Sequence, residues 1–246
     1  MNAGIPRNLI KNLSLFQALS ENDLDTVLSI ARGIRVNTGE PVFSQGDPAT
    51  HFFVLLHGHL KVVQSTPDGS QVAVRYVVPG EVFGIARAMR RPTYPASCLA
   101  VEESIVLSWP SSEWDGFIAG NPQFAFNALQ TVGQRLQDAQ TRIKELSTEE
   151  VEQRVARCIL RFLDSSGEQT EDGIAISFPI TRQEIAEMTG TTLHTVSRLL
   201  SAWKDQGMVI TGRKRITVCK PDDLIRLAEG DTPDTSGAGT ASLSAR

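Results

Sequence analysis

Three side chains in the last quarter of the chain have the types and spacing for recognition chemistry. His194, Ser197 and Arg198 stand at i, i+3 and i+4, so on a helix they share one face. Arg198 carries a planar fork of donors that matches two adjacent acceptors, such as O6 and N7 of guanine, and one good pair of this kind discriminates by about 1–3 kcal/mol. Ser197 and His194 can each donate or accept at a neighbouring edge. Around them lie groups suited to phosphate oxygens: Thr181, Arg182, Gln183, Thr192 and Thr195, with Arg213 and Lys214 further on. Taken singly, each of these residues would be an ordinary solvated side chain.

The elements that would hold them give the set its meaning. "TRQEIAEMTG" is expected to be a short helix, with Thr181 as N-cap, Glu184 completing a capping box and Gly190 ending it. The next helix, in "TTLHTVSRLLSAW", starts from Thr191 or Thr192. Ile185, Ala186 and Met188 on the first helix and Val196, Leu199 and Leu200 on the second form an apolar lock that turns residues 194, 197 and 198 outward. "MVITGRKRITVCK" then alternates like two strands around a basic Gly212-Arg213-Lys214-Arg215 turn. Helix, turn, helix and hairpin is the order of a winged helix-turn-helix, whose second helix enters the major groove of double-stranded DNA.

Upstream, "LSENDLDTVLSIA" reads as an amphipathic helix begun by Ser20 and Asp23. From Gly33 to about Trp109 short apolar runs are broken by Gly and Pro, as in an antiparallel sandwich or barrel. "KVVQSTPDGSQVAVRYV" is its clearest hairpin, turning at Pro67-Asp68-Gly69. After Pro122 apolar residues fall at Ala125, Leu129, Val132, Leu136, Ala139, Ile143 and Leu146, a heptad seam that needs a second copy to bury it. Leu129, Val132, Leu136 and Ile143 are the expected dimer contacts. Ser147 and Glu150 suggest a new helix start and a hinge at 146–148.

The expected fold is therefore α+β: an N-terminal antiparallel, jelly-roll-like β-roll, a long dimerisation helix and a C-terminal winged helix-turn-helix. The expected divisions are a sensor roll with its N-terminal helix at 1–120, the dimerisation helix at 121–146, the DNA-binding domain at 147–229 and a disordered tail at 230–246. With 246 residues and 41% hydrophobic content, two domains with cores of their own are comfortable. A net charge of −4 argues against coating nucleic acid by bulk charge, so a local basic patch must do the work. Cys98, Cys158 and Cys219 lie far apart and are expected to be buried thiols. No apolar run reaches the ~18 residues of a membrane helix, and no secretory leader is evident, so a cytoplasmic protein without a membrane partner is expected. No P-loop, nucleophile elbow or metalloprotease pair occurs, so an enzyme is not expected.

From about residue 8 to 229 the chain resembles the Crp/Fnr family of bacterial transcription regulators, most specifically in "TRQEIAEMTGTTLHTVSRLLSAWKDQGMV", and also in "LFQALSENDLD" and "GEPVFSQGDPATHFFVLLHGHLKV". The resemblance implies a cyclic-nucleotide-binding-like roll, a homodimer on a near-palindromic site, and contact with RNA polymerase. It sets His194, Ser197 and Arg198 at base-reading positions. Ser197-Arg198 is similar to the pair of the Fnr-like branch, which reads a TTG-type half-site, whereas His194 departs from the glutamate usual there.

The same resemblance frames the sensor. The family's nucleotide cassette matches "FGIARAMRRPTYPASCLA", where Ile85 stands at the ribose-binding glutamate and Tyr94-Pro95 at the phosphate-binding arginine and serine. Ordinary cyclic AMP binding is not expected. Phe83, Gly84, Ile85, Arg90, Arg91 and Tyr94 remain the candidate effector pocket, for another anion or for none. No cysteine precedes Cys98, so an iron–sulfur cluster of the Fnr kind is not expected. The chain also resembles the nitric-oxide-responsive regulators of denitrification, thought to use haem, for which His51, His57 and His59 are the candidate ligands of haem or another metal. The cofactor is otherwise unknown. A haem-dependent nitric oxide or redox sensor, and a ligand-binding module without a DNA role, stay open as alternatives.

Overall fold

The computed structural model describes residues 7–66 and 71–230. The expected Pro67-Asp68-Gly69 turn and the tail beyond Gly230 lie outside the described residues. The first helix, α1 (Glu21–Ile30), starts where the sequence marks it, the Ser20 hydroxyl accepting from the Asp23 amide. Its inner face buries Leu24 and Val27, and the Val27 carbonyl takes the indole N–H of Trp109 at 2.8 Å.

Among the described residues eight strands follow: β1 (Arg32–Val36), β2 (Pro41–Phe43), β3 (His51–His57), β4 (Leu60–Ser65), β5 (Gln71–Val77), β6 (Val82–Phe83), β7 (Ser97–Ala100) and β8 (Ser104–Pro110). They form two antiparallel sheets in the orders β1-β8-β3-β6 and β2-β7-β4-β5. The expected β4–β5 hairpin is present, with Leu60 opposite Val77 and Ser65 opposite Gln71. Gly58, between β3 and β4, has φ +83, and a Cβ there would stand 2.4 Å from Ser104 Oγ, so the turn admits no side chain.

Two helices leave the roll, α2 (Glu113–Gly120), which the sequence pattern did not reveal, and α3 (Pro122–Thr148). Asn121 caps α3, its side chain accepting from the Phe124 amide at 3.2 Å, with Pro122 in the first turn. The expected helix start at Ser147 is corrected. Ser147 and Thr148 lie inside α3 and donate back to the carbonyls of Ile143 and Lys144, at 2.9 Å each. The next helix, α4 (Val151–Ser166), starts after Glu150, whose amide donates to Gln153 Oε1 at 2.8 Å. Carrying α3 on to Thr148 lets Glu145 and Glu149 reach Arg161 and Arg157 of α4, at 2.6 and 3.1 Å.

The C-terminal unit continues with β9 (Gly167–Thr170), β10 (Gly173–Ile176), α5 (Arg182–Thr189), α6 (Leu193–Asp205), β11 (Val209–Gly212), β12 (Arg215–Val218) and α7 (Pro221–Glu229). Its sheet has the order β11-β12-β10-β9. Ile159, Phe162, Ile185, Val196, Leu200, Trp203 and Leu224 make one core, and Tyr76 of the roll belongs to it. The Tyr76 ring meets Phe162 edge-on at 5.3 Å and Phe178 at 4.8 Å.

Cys98 and Cys158 are buried, and burial pushes their thiols up to about 12 and about 11, so both are protonated at neutral pH. Among the described residues no helix is long and apolar enough to cross a membrane.

Candidate nucleic-acid interface

The reading head is built from local signals that agree. Thr181 Oγ1 accepts from the Glu184 amide at 3.1 Å, and Glu184 Oε2 accepts from the Thr181 amide at 2.8 Å, closing the box that starts α5. Burial pushes the Glu184 carboxyl upward, but hydrogen bonds from Lys61 and Thr181 outweigh it and hold the group below the ordinary carboxylate value. Gly190 ends α5 at φ +62. Thr192, rather than Thr191, caps α6, its hydroxyl accepting from the Thr195 amide at 3.2 Å.

The apolar lock is buried as its spacing requires: Ile185, Ala186, Val196 and Leu200 are at most 1% exposed, and Trp203 joins them. Each large side chain so buried contributes about 1.5–3 kcal/mol. With that face fixed inward, His194 and Arg198 stand exposed on the opposite side of α6 and Ser197 half-exposed between them. Met188 and Leu199 are only partly buried against the same core.

The phosphate candidates divide. Thr181, Arg182, Gln183 and Lys214 line one cleft of about 280 Å³ between the start of α5 and the β11–β12 hairpin. Thr211 and Arg215 share it; Arg215 was read from sequence as part of the basic hairpin turn, whereas Thr211 was not singled out, its signal being the strand alternation beside that turn. Arg182 donates to Thr211 Oγ1 at 3.4 Å. Arg213 faces a second cleft of about 630 Å³, which Lys214 and Arg215 also line and which holds Glu102, Glu168 and Phe178 as well. Thr192 and Thr195 hydroxyls lie 3.0 Å from each other, within the helix cap.

The turn between α5 and α6 is held from outside. Arg142 of α3 donates to the Met188 carbonyl, and Arg154 of α4 donates to the Thr189 carbonyl at 2.9 Å. These cations take carbonyls that the helix end leaves unpaired. The α5 face is also tied to the roll, by Lys61 to Glu184 at 2.8 Å and by the Ala73 amide to Glu187 Oε2 at 2.9 Å.

The residues expected to form the effector pocket are not gathered around one space. Phe83, Ile85 and Tyr94 are buried in the roll, while Arg90 and Arg91 are exposed on the loop after a 3₁₀ turn at Arg87–Met89. Gly84, at φ +70, packs against the Phe53 ring. The Tyr94 ring stacks on Phe43 at 3.9 Å, and its hydroxyl donates to the His51 carbonyl at 2.7 Å. Phe43, Phe53, Phe83 and Tyr94 thus pack against one another inside the roll. Open space lies elsewhere, in a cavity of about 910 Å³ between β5–β6 and α3. Arg75, Tyr76, Glu81, Arg135, Asp138 and Arg142 are among its walls, and none was chosen from sequence.

The three candidate haem or metal ligands are likewise separate. His59 is buried, with Nδ1 2.6 Å from Glu102 Oε1 and Nε2 3.0 Å from Ser166 Oγ, so both ring nitrogens are taken. His57 is exposed at the end of β3, and His51 pairs with Thr50 Oγ1 at 3.0 Å. The three therefore do not form one ligand set, and among the described residues no group of three His, Cys, Asp or Glu is placed to hold a metal ion.

The seam on α3 is an exposed apolar stripe. Leu129, Leu136 and Ile143 are 67%, 59% and 65% exposed, Leu146 is exposed as well, and Phe126, not expected, extends the stripe. Val132 departs from it, leaning on the core that holds α1 and Trp109.

A small antiparallel roll joined through a long helix to a winged helix-turn-helix, with a cationic cleft beside an outward-facing recognition helix, defines a DNA-binding transcription regulator. Residues 34–121 match the model of the cyclic nucleotide-binding domain and residues 153–227 that of the Crp-like helix-turn-helix domain. The chain belongs to the Crp/Fnr family. It is 28% identical over 221 residues to the cyclic AMP receptor protein of Thermus thermophilus, covering 90% of this chain and 99% of that one. It is 26% identical over 219 residues to the transcriptional activator protein anr of Pseudomonas aeruginosa, covering 89% of each. Among solved structures, FixK2 of Bradyrhizobium japonicum shares the fold with a TM-score of 0.71 at 22% identity, covering 80% of this chain and 97% of that one.

Proposed function

We propose that the chain acts as a cytoplasmic homodimer that binds near-palindromic, TTG-type sites and contacts RNA polymerase there. In this reading His194, Ser197 and Arg198 read base edges, while Arg182, Gln183, Thr181 and Lys214, joined by Thr211 and Arg215, hold the phosphates on one side. Residues 7–120 form the sensor unit, α3 the dimer helix and residues from α4 to α7 the DNA-binding unit. The signal enters at the cavity between the roll and α3; ordinary cyclic AMP is not the effector, since Ile85 and Tyr94 replace the groups that would hold its ribose and phosphate.

The observation that carries the reading is the exposure of His194 and Arg198 on α6 beside a cationic cleft, with the other face of the same helix locked into a core. Gel retardation with a TTG-type palindrome tests it. Arg198→Ala should abolish specific retardation while the protein stays folded and dimeric; unchanged retardation overturns the reading and favours a ligand-binding module without a DNA role.

A further inference from the structure

Helix α6 opens on a leucine that the rest of the chain leaves uncovered. Leu193, the first residue after the Thr192 cap, is 42% exposed, whereas Val196 and Leu200, at i+3 and i+7, are fully buried. At this spacing Leu193 stands on the border between the apolar lock and the outward face, one turn before Ser197. It also lines the cleft shared by Thr181, Arg182, Gln183 and Lys214, whose other large apolar walls, Ile180 and Ile216, are at most 3% exposed. The hydroxyls of Thr192 and Thr195 lie 3.0 Å apart, and Thr192 also holds the helix cap, so the first turn presents its leucine rather than a free hydroxyl. A single exposed leucine is ordinary on a protein surface. One set between a cationic cleft and the face that carries His194 and Arg198 is placed for an apolar group that arrives beside phosphates.

We propose that Leu193 is a further specificity-determining residue, which packs on the C5-methyl group of a thymine in the half-site. This role rests on reading the chain as a DNA-binding regulator. Among the four base edges in the major groove, thymine alone presents a methyl group. With the cations of the cleft on the phosphates, a base edge comes against the first turn of α6, and the leucine and the methyl leave water together. Burying one methyl is worth a factor of about four in affinity. Ser197 and Arg198 need hydrogen-bond geometry, whereas the leucine needs only close approach, which the Thr192 cap and the buried Val196 and Leu200 fix from two sides.

Fluorescence anisotropy of the full-length protein on a TTG-type palindrome tests this, with thymine replaced by deoxyuridine one position at a time, in both half-sites together and at constant salt. At one position the lost methyl should weaken wild type about fourfold per half-site, roughly fifteenfold for the palindrome. Leu193→Ala should weaken binding to unmodified DNA by a similar factor and should respond to uracil at that position by less than about twofold. Leu193→Gln, which keeps the reach of the side chain without its apolar end, should behave as Leu193→Ala does and replaces it should the alanine variant fail to fold. Uracil that leaves wild-type affinity within about twofold at every position, or a uracil response as large in the Leu193 variants as in wild type, overturns the proposal. Wild type that binds the palindrome with indifference to uracil removes this inference alone, whereas wild type that does not bind the unmodified palindrome removes the regulator reading and this role with it.

Discussion

Lys61 Nζ lies 2.8 Å from Glu184 Oε1, so a lysine on strand β4 of the roll grips the carboxylate that closes the cap of helix α5. One side chain thus serves both the start of the helix-turn-helix and its attachment to the sensor unit. Its folded-state pKa is lowered from the ordinary 4.5. For a lowered acid the stabilisation is complete above 4.5 and is lost as pH falls through the folded value. The attachment should therefore weaken as pH drops below about 4.5, read as increased proteolysis between the units in wild type. Glu184→Gln should flatten that dependence and lower stability by about 1–2 kcal/mol.

Gly190→Ala should destabilise the protein by about 1–3 kcal/mol, from the left-handed backbone the turn requires. An added Cβ would also stand 2.7 Å from Leu146 Cδ2 of α3. Urea unfolding measures the loss, and Leu146→Ala in the same chain should relieve part of it.

Phosphate and base contacts should separate by salt. Arg182→Ala or Lys214→Ala should weaken binding to all DNA sequences alike and reduce the slope of log affinity against log salt by about one. Arg198→Ala should cost specificity at one base position per half-site, about 1–3 kcal/mol each. Fluorescence titrations across a salt series, with matched and altered half-sites, distinguish the two patterns.

Charge on the exposed stripe of α3 should separate the proposed dimer. Leu136→Glu together with Ile143→Glu should give a monomer by sedimentation, since both side chains are more than half exposed in the single chain and have no partner within it to lose. A sedimentation coefficient unchanged from wild type would remove the seam as the interface.

Features written in neighbouring residues were legible in advance. The Thr181–Glu184 box, the glycine at 190, the lock of Ile185, Val196 and Leu200, and the β11–β12 hairpin each depend on positions a few residues apart. Ser147 and Glu150 carried the same signature and misled, because two more residues of helix let Glu145 and Glu149 meet arginines on α4, a contact no local pattern encodes. The short helix α2 carries little periodicity to detect, whereas Leu224, Leu227 and Ala228 of α7 do keep helical spacing. For α7 the proline at its start, acidic residues in its first turn and Gly230 at its end were the available cues. The large cavity was hidden for the same reason as the α3–α4 joint, since Arg75, Arg135 and Arg142 come together only when β5 packs along α3. Conversely, residues 83–94 adjoin in sequence but divide, because Phe83, Ile85 and Tyr94 are buried in the roll while Arg90 and Arg91 follow a 3₁₀ turn into solvent.

Tyr76 sits on a strand of the roll yet belongs to the core of the winged unit, wedged between Phe162 and Phe178. Heating should therefore melt both halves in one calorimetric transition. Tyr76→Ala should divide that peak in two, and a severed reading head would carry an empty aromatic socket open to water.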